Sequence, residues 1–245
     1  MGTLDSCKSQ SYDIIGLSEI DGDLGIFLSK TGVEDCAFFI DTSVLLAATS
    51  PRDSQKRVDA INFLEYLQKA MEDEAIECYT SPTVMEECFF KLIQWCYIRS
   101  AKYPPKLNGE SLDESLKAGI EELSYEAARG TRWDTLYKKF PQLISLKCCE
   151  SLYEFYRTVR EGFGIYPLEP MLNPRNNELE VSPLTSLMLK FTCEFNLLPL
   201  DSLNLAISHI YGVHNVVTFD SDLVRASSLF RIFTRDTIRD HCQEI

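Results

Sequence analysis

Residues 36–49 read Cys36-Ala37-Phe38-Phe39-Ile40-Asp41-Thr42-Ser43-Val44-Leu45-Leu46-Ala47-Ala48-Thr49. The stretch is apolar apart from Asp41 and the hydroxyl pair behind it, and such a run predicts a strand buried on both faces and ending in a turn. A strand covered on both sides belongs inside a parallel sheet, where helices make the crossovers. An acid set between Ile40 and Thr42-Ser43-Val44-Leu45-Leu46 is poorly explained by turn preference alone, so Asp41 is the first candidate functional residue.

Beyond it, Val58, Ile61, Leu64 and Leu67 recur at helical spacing across 58–70 with charges between them. Ile76 to Tyr79 is a second short strand. Ser81 then offers a cap and Pro82 suits a first helical position, for a helix through Val84, Phe89, Leu92, Ile93 and Cys96. Ser182-Pro183 repeats that signal ahead of Leu184, Leu187, Met188 and Phe191. From Leu200 to Tyr211 another helix carries Leu203, Leu205, Ala206 and Ile210 on its apolar side, and Gly212 stops it. Asn215 to Phe219 is a third strand, Asp222 to Ser228 a short helix and Phe230 to Thr234 a fourth strand. The alternation predicts an α/β fold around a central parallel sheet, assembled from residues 36–97 and 182–245.

Residues 98–181 differ in character. Helical patterns at Leu112–Ala128 and Leu143–Val159 are separated by Pro104-Pro105, Gly130 and Pro141 and followed by a turn-rich stretch over 162–177, which predicts a helical insertion. Residues 1–35 form an N-terminal extension, in which Tyr12 to Ile15 and Leu24 to Leu28 flank Asp21-Gly22-Asp23 as a hairpin would.

The chain has 245 residues, 45% of them hydrophobic and 25% charged, enough for a sizeable core and unlike a disordered composition. No apolar run approaches the roughly 20 residues of a membrane span, and the first 20 residues lack the basic start and apolar stretch of a signal peptide. A cytoplasmic protein with no membrane partner is expected. The nine cysteines are odd in number, sit mostly in apolar segments and show no C-x-x-C spacing, so free, buried thiols are expected in preference to disulfides or zinc ligands. His209, His214 and His241 form no ligand cluster, which leaves oxygen donors for any metal.

In a parallel sheet the strand C-termini share one edge, and ligands bind outside it. Asp41 and Asp220 end the first and third strands. Glu86 sits in the second turn of the helix leaving the second strand at that edge, and Asp201 lies in the first turn of the helix that precedes the third strand. Carboxylates brought close repel one another and are costly to desolvate unless cations neutralise them, which calls for Mg²⁺ or Mn²⁺.

Four segments carry these acids: Phe38-Phe39-Ile40-Asp41-Thr42-Ser43-Val44-Leu45-Leu46, Thr83-Val84-Met85-Glu86, Leu200-Asp201-Ser202-Leu203-Asn204-Leu205-Ala206-Ile207-Ser208 and Val216-Val217-Thr218-Phe219-Asp220-Ser221-Asp222. In order and context they resemble the four motifs of PIN-domain nucleases, including VapC-type toxins, over roughly residues 36–97 and 182–234. The resemblance implies a three-layer PIN-like domain in which Asp41, Glu86, Asp201 and Asp220 are catalytic and hold one or two Mg²⁺ or Mn²⁺ ions. It implies hydrolysis of RNA that leaves a 5′-phosphate. Asp222 is either a further metal ligand or the cap of the helix it begins. Thr42, Ser43 and Thr218 match the hydroxyl positions that orient the carboxylates or approach a phosphate. The family also implies a homodimer and, for toxins, an antitoxin or other regulatory protein as partner. The added middle region departs from the compact toxins and points equally to RNA processing.

The formal net charge of −13, from 24 Lys+Arg against 37 Asp+Glu, opposes RNA binding. Residues 98–181 hold 12 Lys+Arg and 13 Asp+Glu, so the excess acid belongs to the rest of the chain. Within them Arg129, Arg132, Lys138, Lys139, Lys147, Arg157 and Arg160 lie among Trp133, Tyr137, Tyr153 and Tyr156, a mixture suited to phosphates and stacked bases and equally to a solvated helix face with its rings turned inward. A metal-dependent endoribonuclease is the leading expectation. A catalytically inactive PIN-like binding or scaffold module is the alternative, and an aspartyl-phosphate enzyme ranks below both because Ser43 stands where such a phosphatase carries a second Asp.

Overall fold

Asp41 divides the 36–49 stretch in two in the computed structural model of the chain. Strand β2 covers only Ala37–Ile40, and a helix α1, Thr42–Thr49, follows at once. The single strand expected across these residues is corrected. Val44, Leu45, Ala47 and Ala48 are all buried, so the helix shows no polar face and its period is erased. Good helix formers and an acid that can cap the first turn then decide the backbone.

The structure describes residues 14–17, 20, 37–50, 54–72, 76–102, 121–122, 125–126, 129, 132–139, 141, 148–168 and 183–243. They separate into two compact units, residues 1–85 with 159–245, and residues 86–158.

The first unit is α/β. Its strands are β1 Ile14–Gly16, β2, β3 Glu77–Thr80, β4 Tyr166–Pro167, β5 Asn215–Val217 and β6 Arg231–Thr234, in the order β1-β6-β5-β2-β3-β4 with every pair parallel. Helix α2, Gln55–Glu72, connects α1 to β3 and buries Ala60, Phe63, Leu64, Leu67 and Ala70. Helix α3, Pro82–Lys102, starts where predicted, with the Val84 amide donating to Ser81 Oγ at 3.0 Å. Helices α6, Pro183–Phe195, and α7, Pro199–Ile210, precede β5, and Gly212 at φ +73° takes the chain out of α7. Helix α8, Asp236–Gln243, follows β6. Phe38, Phe39 and Ile40 are all buried although alternate residues face opposite sides, so both faces of β2 are covered, as in a three-layer α/β arrangement. Each such side chain contributes about 1.5–3 kcal/mol by leaving water.

Two short strands complete the sheet at its edges. Ile14–Gly16, the first arm of the expected hairpin, is an edge strand parallel to β6, with Ile14 opposite Ile232 and Gly16 opposite Thr234. A Cβ at Gly16 would collide with Asp236 Oδ1, so glycine there permits α8 to lie against β1. The hairpin's turn and second arm are outside the described residues. At the other edge Tyr166–Pro167 pairs with Tyr79–Thr80. This brings residues after Thr158 into the α/β unit, so the compact units divide at 86 and 159, whereas the sequence suggested an insertion over 98–181.

The second unit contains α4, Trp133–Lys139, and α5, Cys149–Arg157, packed through aromatic pairs: Phe89 with Phe155 at 6.1 Å, Phe90 with Trp133 at 4.9 Å and Tyr97 with Tyr137 at 6.1 Å between ring centres. Most of the pattern at 112–128 lies outside the described residues. Cys78, Cys88, Cys96, Cys148, Cys149 and Cys193 are in no disulfide, the first two and Cys148 buried as expected and Cys193 exposed. Among the described residues no helix is long and apolar enough to cross a membrane.

Candidate functional site

Strand β2 pairs with β3 on one side and with β5 on the other, so the direction of winding reverses between β2 and β5. A crevice opens outside the strand C-termini at such a switch point. Asp41 follows β2, and Thr218, Phe219 and Asp220 follow β5 at this edge.

The Asp41 amide donates to the Val217 carbonyl at 3.0 Å, which ties the acid to β5. Its side chain caps α1. Oδ2 accepts the Ser43 amide at 3.1 Å, the Ser43 hydroxyl at 2.6 Å and the Thr218 hydroxyl at 3.0 Å. Both hydroxyls are themselves acceptors: the Phe219 amide donates to Ser43 Oγ at 2.8 Å and the Asp220 amide to Thr218 Oγ1 at 3.0 Å. Each hydroxyl proton is thereby directed at the carboxylate. Oδ1 has no donor among the described residues.

Burial pushes the Asp41 carboxyl above its ordinary value, the bonds from Ser43 and Thr218 oppose that shift without cancelling it, and the charge of Asp220 adds to it. The ionised group is therefore under-compensated.

Asp220 accepts the Asp222 amide on Oδ1 at 2.9 Å, the geometry of a turn that starts a helix, here the 3₁₀ turn Asp222–Ala226. Asp222 is the first residue of that turn, whose cap position is Ser221, and its exposed carboxylate pairs with Arg225 at 2.8 Å. Asp201 is half-buried in the first turn of α7. Thr42 is buried in α1. Glu86 is exposed on α3 and is the first residue of the second unit. Among the described residues no three His, Cys, Asp or Glu side chains gather closely enough to hold a metal ion. The structure thus unites Asp41, Ser43, Thr218 and Asp220, and draws neither Asp201 nor Asp222 into a three-acid cluster with them.

Three of the basic candidates have local partners. Arg129 stacks over Tyr125 at 5.5 Å, Arg132 pairs with Asp134 at 3.3 Å and Lys139 pairs with Glu126 at 3.0 Å. Lys138, Arg157 and Arg160 are exposed, and Arg160 belongs to the first unit and to a π-helical turn over Thr158–Gly162. Lys147 is outside the described residues. Tyr137, Tyr153 and Tyr156 are all exposed, Tyr137 also packing edge-on against Tyr97, while Trp133 packs edge-on against Phe90.

Two cations that sequence patterns missed stand beside the site. Lys56 Nζ lies 5.8 Å from the centre of the Phe219 ring and the Arg235 guanidinium carbon 6.0 Å from it. One lies at the start of α2 and the other directly after β6, positions separated by most of the chain. The only local signal was a basic residue at a strand end.

Comparison with protein-family models, with curated proteins and with solved structures finds no match to this chain.

Proposed function

We propose that the chain is a metal-dependent endoribonuclease of PIN type, hydrolysing RNA phosphodiester bonds at the edge that carries Asp41 and Asp220. One observation carries this reading: Asp41 is a buried carboxylate whose three donors among the described residues all address Oδ2, none of those residues donating to Oδ1, and whose ionised form is disfavoured by burial. A hard divalent cation is the partner such a group accepts most readily, and the donors at the edge are all oxygens. Asp41 and Asp220 would hold that ion through their carboxylate oxygens. Asp201 is the further carboxylate proposed for it. When bound, Mg²⁺ or Mn²⁺ supplies Lewis-acid stabilisation of the charge that develops on the phosphoryl oxygens.

The chain's own residues supply orientation. Ser43 and Thr218 clamp Oδ2 and fix the carboxylate plane, and the amides of Phe219 and Asp220 hold those hydroxyls in turn. In the second unit Tyr153 and Arg157 are four residues apart on α5, hence on one helix face, and both are exposed. A ring that stacks a base beside a guanidinium that meets a phosphate suits single-stranded RNA.

The test is cleavage of end-labelled RNA with Mn²⁺ by the wild type, Asp41→Asn and Asp220→Asn. Each substitution should lower the rate at least as far as the roughly 10- to 100-fold typical of groups one step removed from a metal. Equal cleavage by wild type and Asp41→Asn overturns the proposal. Mn²⁺ binding with no cleavage by any of the proteins supports the inactive PIN-like module instead.

A further inference from the structure

Phe219 stands between Thr218 and Asp220, and its amide belongs to the hydrogen-bonded turn that holds Asp41. Its side chain is buried, with Lys56 and Arg235 both set against its ring. The two cations are held differently. Arg235 Nε donates to Asp59 Oδ2 at 2.7 Å, and the other Asp59 oxygen accepts Gln55 Nε2 at 2.7 Å, so the guanidinium is anchored from one side. Its two η nitrogens have no acceptor among the described residues. Lys56 is exposed and pairs with no carboxylate among the described residues.

In a chain of net charge −13, an ammonium that has no acidic partner among the described residues and lies against Phe219, next to Asp220, calls for an explanation. The Phe219 ring attracts both cations without neutralising them, since a cation–π contact contributes about 0.5–1 kcal/mol at an exposed site. A rigid fork of N–H groups and a flexible point charge gathered around one ring are the two kinds of group that recognise a phosphate, the fork by geometry and the ammonium by charge.

We infer that Lys56 and Arg235 form a phosphate-binding pair that holds the RNA backbone beside Asp41 and Asp220. The identity of the bound polymer rests on the nuclease proposal; the pair is defined by its own contacts. Both are positioning residues, because neither contacts a carboxylate of the candidate site. The pair meets the backbone and not the bases, so its contribution is equal for all sequences.

The experiment measures fluorescence anisotropy of a labelled single-stranded RNA in Ca²⁺, across a series of KCl concentrations, for wild type, Lys56→Gln and Lys56→Arg. Arg235 is left intact because it also anchors Asp59. Lys56→Gln should weaken binding about fivefold at low salt and flatten the slope of log Kd against log [KCl] by about 0.7, the loss of one phosphate contact to a single strand. Lys56→Arg should restore both. A structural role for Lys56 would leave the salt slope unchanged, so an unchanged slope overturns the inference even if affinity falls. Cleavage with Mn²⁺ separates the two ideas. A wild type that leaves RNA intact but shows the Lys56-dependent slope keeps the phosphate pair and removes the nuclease. A wild type that cleaves while Lys56→Gln keeps its slope removes the pair alone. A wild type that binds no RNA overturns both.

Discussion

Asp41 satisfies a local need and leaves an electrostatic one open. As the cap of α1 it serves the helix, and asparagine could do the same, because a single acceptor oxygen in place of Oδ2 keeps all three donors. Its raised pKa has a definite linkage sign. With the folded value above the ordinary 3.8, the folded chain holds the proton more tightly than the unfolded chain between the two values. Stability is therefore greatest at the acid end of that window, falls as pH rises through it, and stays reduced at neutral pH. Asp41→Asn should accordingly raise Tm at pH 7 in EDTA, by about 2–4 °C for each kcal/mol recovered in a chain of this length. The difference from wild type should narrow as pH is lowered towards 3.8. Mn²⁺ should reverse the order: at a hundredfold excess over Kd it adds about 2.7 kcal/mol to the wild type and little to the variant. Calorimetric melting of both proteins, with and without Mn²⁺, checks each half, and a variant that melts below wild type in EDTA would show that the carboxylate is compensated after all. The sequence made Asp41 and Asp220 legible because each sits at the end of an apolar strand, and Thr218 legible only through the motif resemblance. It could not show that Ser43 and Thr218 converge on one oxygen, since their 175-residue separation is closed only by the pairing of β2 with β5.

At the level of elements, the start of α3 and the buried face of α7 share a polar knot. Ser81 Oγ accepts the Val84 amide at 3.0 Å and donates to Asn204 Oδ1 at 2.8 Å, and the Thr83 hydroxyl donates to the same oxygen. Ser81 is fully buried and Asn204 nearly so. The Ser81-Pro82 signal revealed the cap, whereas Asn204 read only as part of a motif face. Ser81→Ala should cost about 1–2 kcal/mol, from a lost cap and a weakened buried acceptor, and lower Tm by about 2–4 °C per kcal/mol. Urea titration measures it, and a change below a few tenths of a kcal/mol would mean that the knot is not holding α3 to α7. Helices α2, α3, α6 and α7 were readable because each is long and amphipathic or opens on a cap. α1 was not, since a helix buried all round and a strand buried on both faces produce the same apolar run. β1 was readable as a short extended arm, but not its pairing with β6. β4 was missed for another reason: at two residues it is too short to show a period, and it ends in Pro167, which a sheet tolerates at its edge. Their membership comes from partners distant in sequence.

For the whole molecule, the acidic total and an RNA substrate have to be reconciled by distance. At 0.1 M salt the screening length is about 10 Å, so RNA at the candidate edge feels the groups within that range and little of the remaining surface. Those groups include Asp41 and Asp220, which repel phosphate unless a cation intervenes, and Lys56 and Arg235, which attract it. Attraction by few cations gives weak binding, and retention of bare carboxylates should abolish it. Wild type in Mg²⁺ should therefore bind RNA with Kd on the order of 10⁻⁶–10⁻⁴ M, the range of non-specific contacts, and lose affinity steadily as KCl rises. EDTA should reduce binding at least tenfold at constant ionic strength, and Asp41→Asn with Asp220→Asn should blunt that EDTA effect because the repelling charges have been removed. The last comparison decides whether metal acts by neutralising these two acids: if the double variant still loses as much binding in EDTA as the wild type, the ion works elsewhere on the chain. Tight binding of RNA in EDTA by the wild type would instead show that the basic residues overcome the acidic edge without help.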